Sequence, residues 1–354
     1  MTSGDILIYG AYGYTGELIA RLAKERGVAV TLAGRRREAL APLAEELGFP
    51  TLAVGLDDST ALRDALKPFK VVLHCAGPFS RTFRAMAEAC IAEETHYLDI
   101  TGEIEVFEGL RHLGSRAEEA GVMLMPGVGF DVVPSDCLAK HLAESLPDAT
   151  HLELAFKSGG GMSRGTATTV VENIERGGAV REEGIIKPVP TAWKTRWIDY
   201  GRGPRKSITI PWGDVSTAFT TTGIPNICVY TAVPPMAVPM LKLSRYMKPI
   251  LASGPVKRFM LKRARSGPAG PSAEERAKVR TNLWGEVRNA EGETRVARLE
   301  TPEGYTLTAL TGLEVAERVA GGAAEPGYRT PAGLFGADFI LEFETTKRTD
   351  AAAP

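Results

Sequence analysis

The first hydrophobic run of the chain is Ile6 to Tyr9, and glycines follow it at once. An unbroken apolar run of this length predicts a strand that is buried on both faces of a parallel sheet. Gly10, Gly13 and Gly16 then recur at every third position, and apolar residues at helical spacing follow as far as Gly27. The pattern therefore predicts a strand, a glycine turn and a helix that ends at a glycine.

The same alternation of apolar runs and helical periods continues to about residue 125. The further strands that it predicts are Val28–Ala33, Thr51–Gly55, Val71–Cys75, Tyr97–Ile100 and Val122–Met125. The helices predicted between them are Glu38–Leu47, a short helix to Leu66 that Ser59 caps, Arg81–Ala92 and Glu105–Ala120. Six strands that alternate with helices predict a complete doubly wound parallel sheet.

Beyond Met125 the pattern changes, and most apolar residues alternate with polar ones. A helix is predicted from Pro134, and the strands predicted after it are His151–Lys157, Arg205–Ile210, Ile227–Val233, and Asn282–Arg288 paired in a hairpin with Thr294–Glu300. The predicted fold class is α/β, an N-terminal Rossmann sheet with an inserted α+β domain built on a largely antiparallel sheet. The predicted domains are residues 1–133 for the dinucleotide, 134–326 for the substrate, and 327–354 as a segment that returns towards the first domain.

The glycine turn carries the first candidate chemistry, because glycines let the backbone approach a pyrophosphate whose charge lies on the helix N-terminal amides. An NAD site usually has an acid about 20 residues further on. The sequence has Gly34-Arg35-Arg36-Arg37 at that place and no acid. Arginine there would neutralise a ribose 2′-phosphate, so we predict NADP(H). The alternatives are an ordinary glycine-rich turn and a solvated basic turn.

Amino-acid composition limits the classes of function that we expect for the chain. The 354 residues carry a net charge of −1, which offers no global case for nucleic acid binding. The four cysteines are scattered and the five histidines lack metal-ligand spacing, so we expect reduced thiols and no metal. No apolar run is long enough to span a membrane, and none is typical of a signal peptide. We expect a cytoplasmic protein and leave peripheral attachment to a membrane open.

Several motifs together resemble a known family. They include Gly10 to Gly16, Ala33 to Arg36, Cys75-Ala-Gly-Pro-Phe79, Tyr97-Leu-Asp-Ile-Thr-Gly-Glu103 and Gly129-Phe-Asp-Val-Val-Pro-Ser-Asp136, and further on Ser163 to Thr166, Gly270 to Arg276 and Thr330 to Ala332. In this order they resemble saccharopine dehydrogenase-like oxidoreductases, especially the bacterial trans-acting enoyl reductases. The resemblance implies an NADP-dependent reductase with an inserted substrate domain.

The function expected from these features is hydride transfer from NADPH to a C=C bond of an unsaturated acyl or polyketide-type substrate. A second reading is an opine- or imine-type dehydrogenase, for which Arg81, Arg84, Arg164 and Arg176 could bind substrate carboxylates. A third is a scaffold or sensor that binds NADP(H) without turnover. None of the tyrosines has a lysine four residues later, so the Tyr-x-x-x-Lys mechanism of short-chain dehydrogenases is not expected.

The predicted site lies at the strand ends. The predicted cofactor-binding residues are Gly10, Tyr12, Gly13, Tyr14, Thr15, Gly16, Arg35, Arg36, Asp57, Cys75, Ala76, Gly77, Pro78 and Thr101. The predicted catalytic residues are Tyr97, as a proton or hydrogen-bond donor, and Asp131, at the hinge. Each has an alternative, because Tyr97 could be a core aromatic and Asp131 a helix cap. Asp99 is expected to hold loop amides.

One stretch is not explained by the cofactor site. Residues 242–265 contain eight cations and no acid, and large apolar residues from Met236 onward lie between the cations. This composition is typical of a pair of amphipathic helices that docks on an anionic membrane or an acidic acyl-carrier domain. The alternative is an ordinary surface helix pair. The expected partner is a small-molecule or acyl-type substrate, presented by a carrier, by a membrane or from solution, and homo-oligomerisation is left open.

Overall fold

The computed structural model describes residues 4–172, 177–247 and 253–351. The chain divides into two compact units, unit 1 with Met1–Val133 and Tyr305–Leu334, and unit 2 with Pro134–Gly304 and Phe335–Pro354. Arg176 and, within the basic stretch 242–265, residues 248–252 lie outside the described residues.

Unit 1 contains a seven-stranded sheet in which all neighbours are parallel. Its strands are β1 (Ile6–Tyr9), β2 (Val30–Gly34), β3 (Thr51–Ala53), β4 (Val71–His74), β5 (His96–Asp99), β6 (Met123–Met125) and β15 (Gly327–Tyr328). Their spatial order is β15-β6-β5-β4-β1-β2-β3. The order reverses between β1 and β4, which is where ligands bind in such sheets. The predicted doubly wound parallel sheet is confirmed.

Helices connect the strands of unit 1. They are α1 (Tyr14–Arg26), α2 (Arg37–Leu47), α3 (Ser59–Leu66), α4 (Phe79–Ala92), α5 (Ile104–His112) and α6 (Gly114–Glu119). The predicted end of α1 is confirmed, since Gly27 has the left-handed φ of 72°. The predicted cap of α3 is wrong, because the Asp58 carboxylate accepts from the amides of Thr60 and Ala61. The single helix predicted over 105–120 is two helices that meet at Leu113.

Unit 2 contains a nine-stranded sheet. Its strands are β7 (His151–Lys157), β8 (Gly178–Glu182), β9 (Ile185–Val189), β10 (Thr195–Asp199), β11 (Pro204–Thr209), β12 (Asn226–Ala232), β13 (Arg280–Arg288), β14 (Thr294–Pro302) and β16 (Lys347–Ala351). Neighbours are antiparallel except β7 and β12. This confirms the largely antiparallel sheet, and the hairpin predicted across Asn289 joins β13 to β14.

The helices numbered after α6 are α7 (Val133–Ser145), α8 (Arg164–Glu172), α9 (Asp214–Thr222), α10 (Ala237–Leu243), α11 (Gly254–Ser266), α12 (Ala273–Lys278), α13 (Gly304–Arg318) and α14 (Pro331–Phe335). A π-helical turn, Val319–Ala323, follows α13, and a 3₁₀ turn, Phe339–Glu342, follows α14. Within the described ranges, no helix is both long enough and apolar enough to cross a membrane.

The end of the chain is divided between the units differently from the prediction. From Tyr305 onward α13 belongs to unit 1, where Thr308 accepts from the amide of Phe130 and Thr311 donates to the carbonyl of Val128. Residues 335–354 belong to unit 2, because β16 pairs with β14. The second boundary therefore lies at residue 304 instead of 326, and only the segment around β15 joins the parallel sheet.

Candidate functional site

The turn between β1 and α1 is shaped by two glycines that cannot carry a side chain. Gly10 has a φ of 87°, and a Cβ there would lie 2.8 Å from the amide nitrogen of Ala76. A Cβ on Gly16 would lie 2.5 Å from the carbonyl oxygen of Gly10. The amide of Gly10 donates to the carbonyl of Ala33 at 2.8 Å. These contacts bring the turn against the end of β2 and the loop after β4.

Gly13 is the N-cap of α1 and supplies no side-chain cap to the helix. Its amide donates to the carbonyl of Gly10 at 2.9 Å, which closes the turn. Tyr14 and Thr15 are half-buried in the first turn of the helix, and the Tyr14 ring packs edge-on against Tyr305 with centroids 5.1 Å apart. The first amides of α1 lie at the positive end of the helix dipole, which favours an anion there.

The end of β2 presents two cations. Arg35 and Arg36 are exposed, and neither forms an ion pair with any part of the chain that the structure describes. The Tyr12 ring lies against Gly34, where a Cβ would be 2.5 Å from its Cε1. The Arg36 guanidinium lies over the same ring, 5.1 Å from its centroid. Tyr12 therefore orients one of the two arginines, a contact that spacing did not reveal.

Asp57 lies just past β3, on the neighbouring edge of the sheet. Gly34 of β2 pairs with Ala53 of β3, so this strand end borders the arginines. Asp57 is exposed, and its Oδ1 lies 2.4 Å from the position that a Cβ on Gly55 would occupy. The structure thus leaves the Asp57 carboxylate exposed at the rim of the sheet, beside the two arginines.

The loop after β4 runs from Cys75 to Pro78 and is tied to the glycine turn by the amide of Cys75, which donates to the carbonyl of Tyr9 at 2.7 Å. The Thr82 hydroxyl donates to the carbonyl of Ala76 at 2.8 Å. Ala76 and Pro78 are half-buried and Gly77 is exposed, so the loop is open to a ligand. Burial raises the pKa of the Cys75 thiol, which keeps it protonated and argues against a nucleophile.

Asp99 holds the loops that follow β5 and β6. Its Oδ1 accepts from the amides of Thr101 at 3.0 Å and Gly127 at 2.9 Å, as expected from the sequence. Its Oδ2 accepts from the Tyr97 hydroxyl at 2.7 Å. Burial raises the pKa of Asp99 to about 6, although these hydrogen bonds oppose the shift. Asp99 is therefore a positioning group with three bound donors.

The same contact changes the interpretation of Tyr97. Its side chain is fully buried, and its only hydroxyl proton is directed to Asp99. Burial and the Asp99 carboxylate raise the pKa of Tyr97 well above its usual range. Thr101 is also buried, and its hydroxyl accepts from the amide of Glu103 at 3.1 Å. The structure thus argues against catalysis by Tyr97 and fits the alternative of a core aromatic whose hydroxyl has a partner.

Glu103 has a structural role that the sequence analysis did not assign. Its carboxylate accepts from the amides of Phe79 at 2.8 Å and Ser80 at 3.3 Å, at the beginning of α4. A carboxylate at a helix N-terminus satisfies amides that lack an intrahelical partner. Because the partners are 24 and 23 residues apart in the chain, no local motif reports this contact.

Asp131 follows β6 and differs from Asp99 in its surroundings. It is half-buried, and its Oδ2 lies close to Gly102, 2.7 Å from where a Cβ would stand. Within the described chain it has no hydrogen-bond or ion-pair partner. Desolvation raises its pKa to about 7. A carboxyl group that keeps a proton near neutral pH is suited to general acid catalysis.

Three polar residues of the motifs that carry the family resemblance lie in unit 2. Ser163 and Thr166 contact each other at 3.1 Å between hydroxyl oxygens at the start of α8, and Asp136 accepts from the Thr221 hydroxyl at 2.6 Å. These contacts give each a structural role. In the part of the chain that is described, no three His, Cys, Asp or Glu side chains form a group that could hold a metal ion.

Comparison with known proteins agrees with this geometry. Residues 6–125 match the model of the saccharopine dehydrogenase NADP binding domain. A saccharopine dehydrogenase (L-Glu forming) from Saccharomyces cerevisiae superposes over 99% of this chain and 100% of its own with a TM-score of 0.66. At 13% sequence identity, that likeness shows the fold alone.

Relatives in sequence match parts of the chain. A Mycobacterium tuberculosis protein, provisionally named a trans-acting enoyl reductase, is 32% identical over 184 residues, which are 48% of this chain and 43% of the relative. A saccharopine dehydrogenase-like oxidoreductase of Mus musculus is 28% identical over 61% of this chain and 58% of its own. The chain thus spans about half the length of these relatives. Residues 6–125 are therefore a saccharopine dehydrogenase NADP-binding domain with NADP(H) as its cofactor, and the resemblance to saccharopine dehydrogenase-like oxidoreductases is confirmed.

Proposed function

We propose that this protein is an NADP(H)-dependent oxidoreductase that reduces the C=C bond of an unsaturated acyl substrate. The observation that carries the cofactor part is the glycine turn beside two exposed arginines that form no ion pair. The acyl part is supported by the relatives that are named trans-acting enoyl reductases. Their names describe those proteins, and the substrate of this chain is our inference.

The residues of the turn fit a dinucleotide. A Cβ on Gly13 would lie only 3.2 Å from the carbonyl oxygen of Gly10, so the turn is closely packed at this glycine. The first amides of α1 would bind the pyrophosphate, which can approach closely because Gly13 has no side chain, and Arg35 and Arg36 would bind the 2′-phosphate. Asp57 would border the adenine side. NADPH supplies a hydride when it is bound.

Asp131 is the residue that we propose as proton donor. Reduction of a C=C bond adds one proton as well as a hydride, and a carboxyl with a pKa of about 7 still holds a proton near neutral pH. Asp99 is not suited to the role, because three donors already occupy its oxygens. Asp99 would instead keep the loops after β5 and β6 in place, and Glu103 would hold the beginning of α4.

Turnover tests this proposal. Oxidation of NADPH would be followed with enoyl thioesters, with imines formed from amino acids and keto acids, and with ketones. We expect enoyl thioesters to be reduced in preference to the other two classes. Preferred reduction of imines would replace the proposal with the hypothesis of an opine- or imine-type dehydrogenase. Tight NADPH binding without oxidation in any arm would leave the scaffold or sensor reading.

A further inference from the structure

The exposed apolar side chains of the protein are concentrated in one segment of unit 2, residues 236–247 and 253–266, which we call the basic–apolar segment. Eleven large apolar side chains are exposed in the described chain, and this segment contains six of them. These six are Met236, Met240, Leu243, Tyr246, Met247 and Phe259. Exposed apolar clusters of this kind indicate an interaction site.

One side of α10 is anchored and the other is exposed. Val238 is buried in a cluster with Ala192 and Ile208. Arg245, just after the helix, donates to the carbonyls of Thr191 and Ala192 at 2.7 Å each. On the exposed side, methionines and leucine recur at intervals of four, three and four residues, at positions 236, 240, 243 and 247. Met240 and Leu243 therefore form a short apolar stripe on α10, Met236 and Met247 flank it just outside the helix, and methionine adapts readily to irregular partners.

Helix α11 supplies a basic surface. Arg258, Lys262, Arg263 and Arg265 are exposed, and none of them pairs with an acidic side chain anywhere in residues 4–172, 177–247 or 253–351. A shallow cleft along the helix is lined by Arg258, Leu261, Lys262, Arg265 and Ser266. Elsewhere many cations are paired, as Arg21 is with Glu46. The three cations of this cleft converge on a place suited to an anionic headgroup.

A short connection separates the apolar positions 236–247 from helix α11. Six peptide units join Met247 to Ser253, and even fully extended they would span at most about 22 Å. The apolar side chains precede this connection, and the cations of the cleft follow it. This combination is the one by which amphipathic helices bind at the boundary of lipid headgroups and acyl chains.

We propose that the basic–apolar segment docks on the surface of an anionic lipid bilayer. Methionine, leucine and aromatic side chains would enter the headgroup boundary, and the cations would contact lipid phosphates. A second copy of the chain is a poorer partner, because a symmetric contact would bring like charges of the same segment together. The proposal goes beyond the proposed function and does not depend on it.

Vesicle co-sedimentation tests the docking without any turnover. The full chain would be mixed with vesicles of phosphatidylcholine alone or of equal parts phosphatidylcholine and phosphatidylglycerol. We expect binding to the anionic vesicles only, and a loss of binding as salt shortens the screening length to about 8 Å at physiological strength. Equal binding to both vesicles, or none to either, would overturn the proposal.

Variants locate the surface. Replacing the three cations of the cleft by Gln should weaken binding about a hundredfold, since each cation near an anionic surface contributes about fivefold. The double variant Met240→Ser with Leu243→Ser should weaken it about tenfold or more. The charge-matched control is Arg205→Gln with Lys278→Gln and Lys347→Gln, and the apolar control is Ile185→Ser with Leu341→Ser. All these side chains are exposed in unit 2, so urea unfolding should be unchanged.

The controls decide the outcome. If the control variants lose as much binding as the segment variants, the effect belongs to total charge or hydrophobicity and the proposal fails. Binding to an acidic acyl-carrier protein in place of anionic vesicles would assign the surface to a protein partner. If the protein self-associates without binding vesicles, and Met240→Ser with Leu243→Ser abolishes the self-association, the surface would be assigned to a second copy of the chain. Either result would overturn membrane docking.

Discussion

Removing the two arginines after β2 should change the affinity for NADPH and leave that for NADH nearly unchanged. The variant is Arg35→Ala with Arg36→Ala. Both side chains are exposed and pair with no acid among the described residues, so their loss leaves no buried charge behind. The fold should therefore be unaffected, and the change in binding should report the 2′-phosphate alone.

The magnitude follows from the exposure of the site. A hydrogen bond to a charged group contributes about 1.5–3 kcal/mol, and solvent at an exposed site reduces that. We expect a total loss of about 1–3 kcal/mol, or about 5- to 150-fold in Kd. The contact between Arg36 and Tyr12 adds to the order of the site, so Tyr12→Leu should weaken NADPH binding about two- to fivefold.

Fluorescence titration with each cofactor measures both affinities. The matched control is Arg37→Ala, which removes the same charge from the next residue, where α2 begins. We expect the control to lose little affinity for NADPH. Equal losses for NADPH and NADH in the double variant would refute the assignment. An effect of Arg37→Ala as large as that of the pair would show that net charge, and not contact, determines the affinity.

Two further predictions concern the turn and the proton donor. Gly13→Val should abolish NADPH binding while the protein stays folded by circular dichroism, since a side chain there would fill the space before the helix; a folded variant that binds normally would make the loop only a turn. In the wild type, turnover should fall above about pH 7 as Asp131 loses its proton. Asp131→Asn should lower turnover about a hundredfold or more and remove this fall, whereas Tyr97→Phe should keep it. A pH–rate profile of each variant would compare them. The pKa of Asp131 is raised in the folded state from 3.8 to about 7, so folding stability is lost as pH rises through that window. Asp131→Asn should therefore be more stable in urea than the wild type above pH 7 and not at low pH, and equal stability at both would contradict the desolvated carboxyl.

The parallel sheet was predictable because its strands are continuous apolar runs that glycine and helical periods separate. Ile6–Tyr9 of this sheet has the bounds that the sequence predicts, and so does His151–Lys157 in the sheet of unit 2. Local pattern does not show which sheet a distant segment joins. The strand Gly327–Tyr328 has only two residues, which is too short for a clear pattern. The periodicity of α13 indicates an amphipathic helix but does not show which unit it packs against.

The candidate site was predictable where its signal is local. The glycines and arginines follow strands in the sequence, so their register could be read directly. The sequence predicts that Asp99 holds loop amides, but its contact with Gly127, 28 positions away, and the contacts of Glu103 become visible only when neighbouring strands end at one edge. For the same reason Tyr97 could be taken as a donor from sequence, although its hydroxyl is bound to Asp99.

Direct detection of hydride transfer tests the central claim. The protein would be given an enoyl thioester and NADPH deuterated at C4, in each of the two stereoisomers, and the product would be examined by mass spectrometry. The account predicts one deuterium at the β-carbon of the saturated thioester from one stereoisomer and none from the other, with far less product from NADH. A saturated product without deuterium from either stereoisomer, or no saturated product at all, would contradict it.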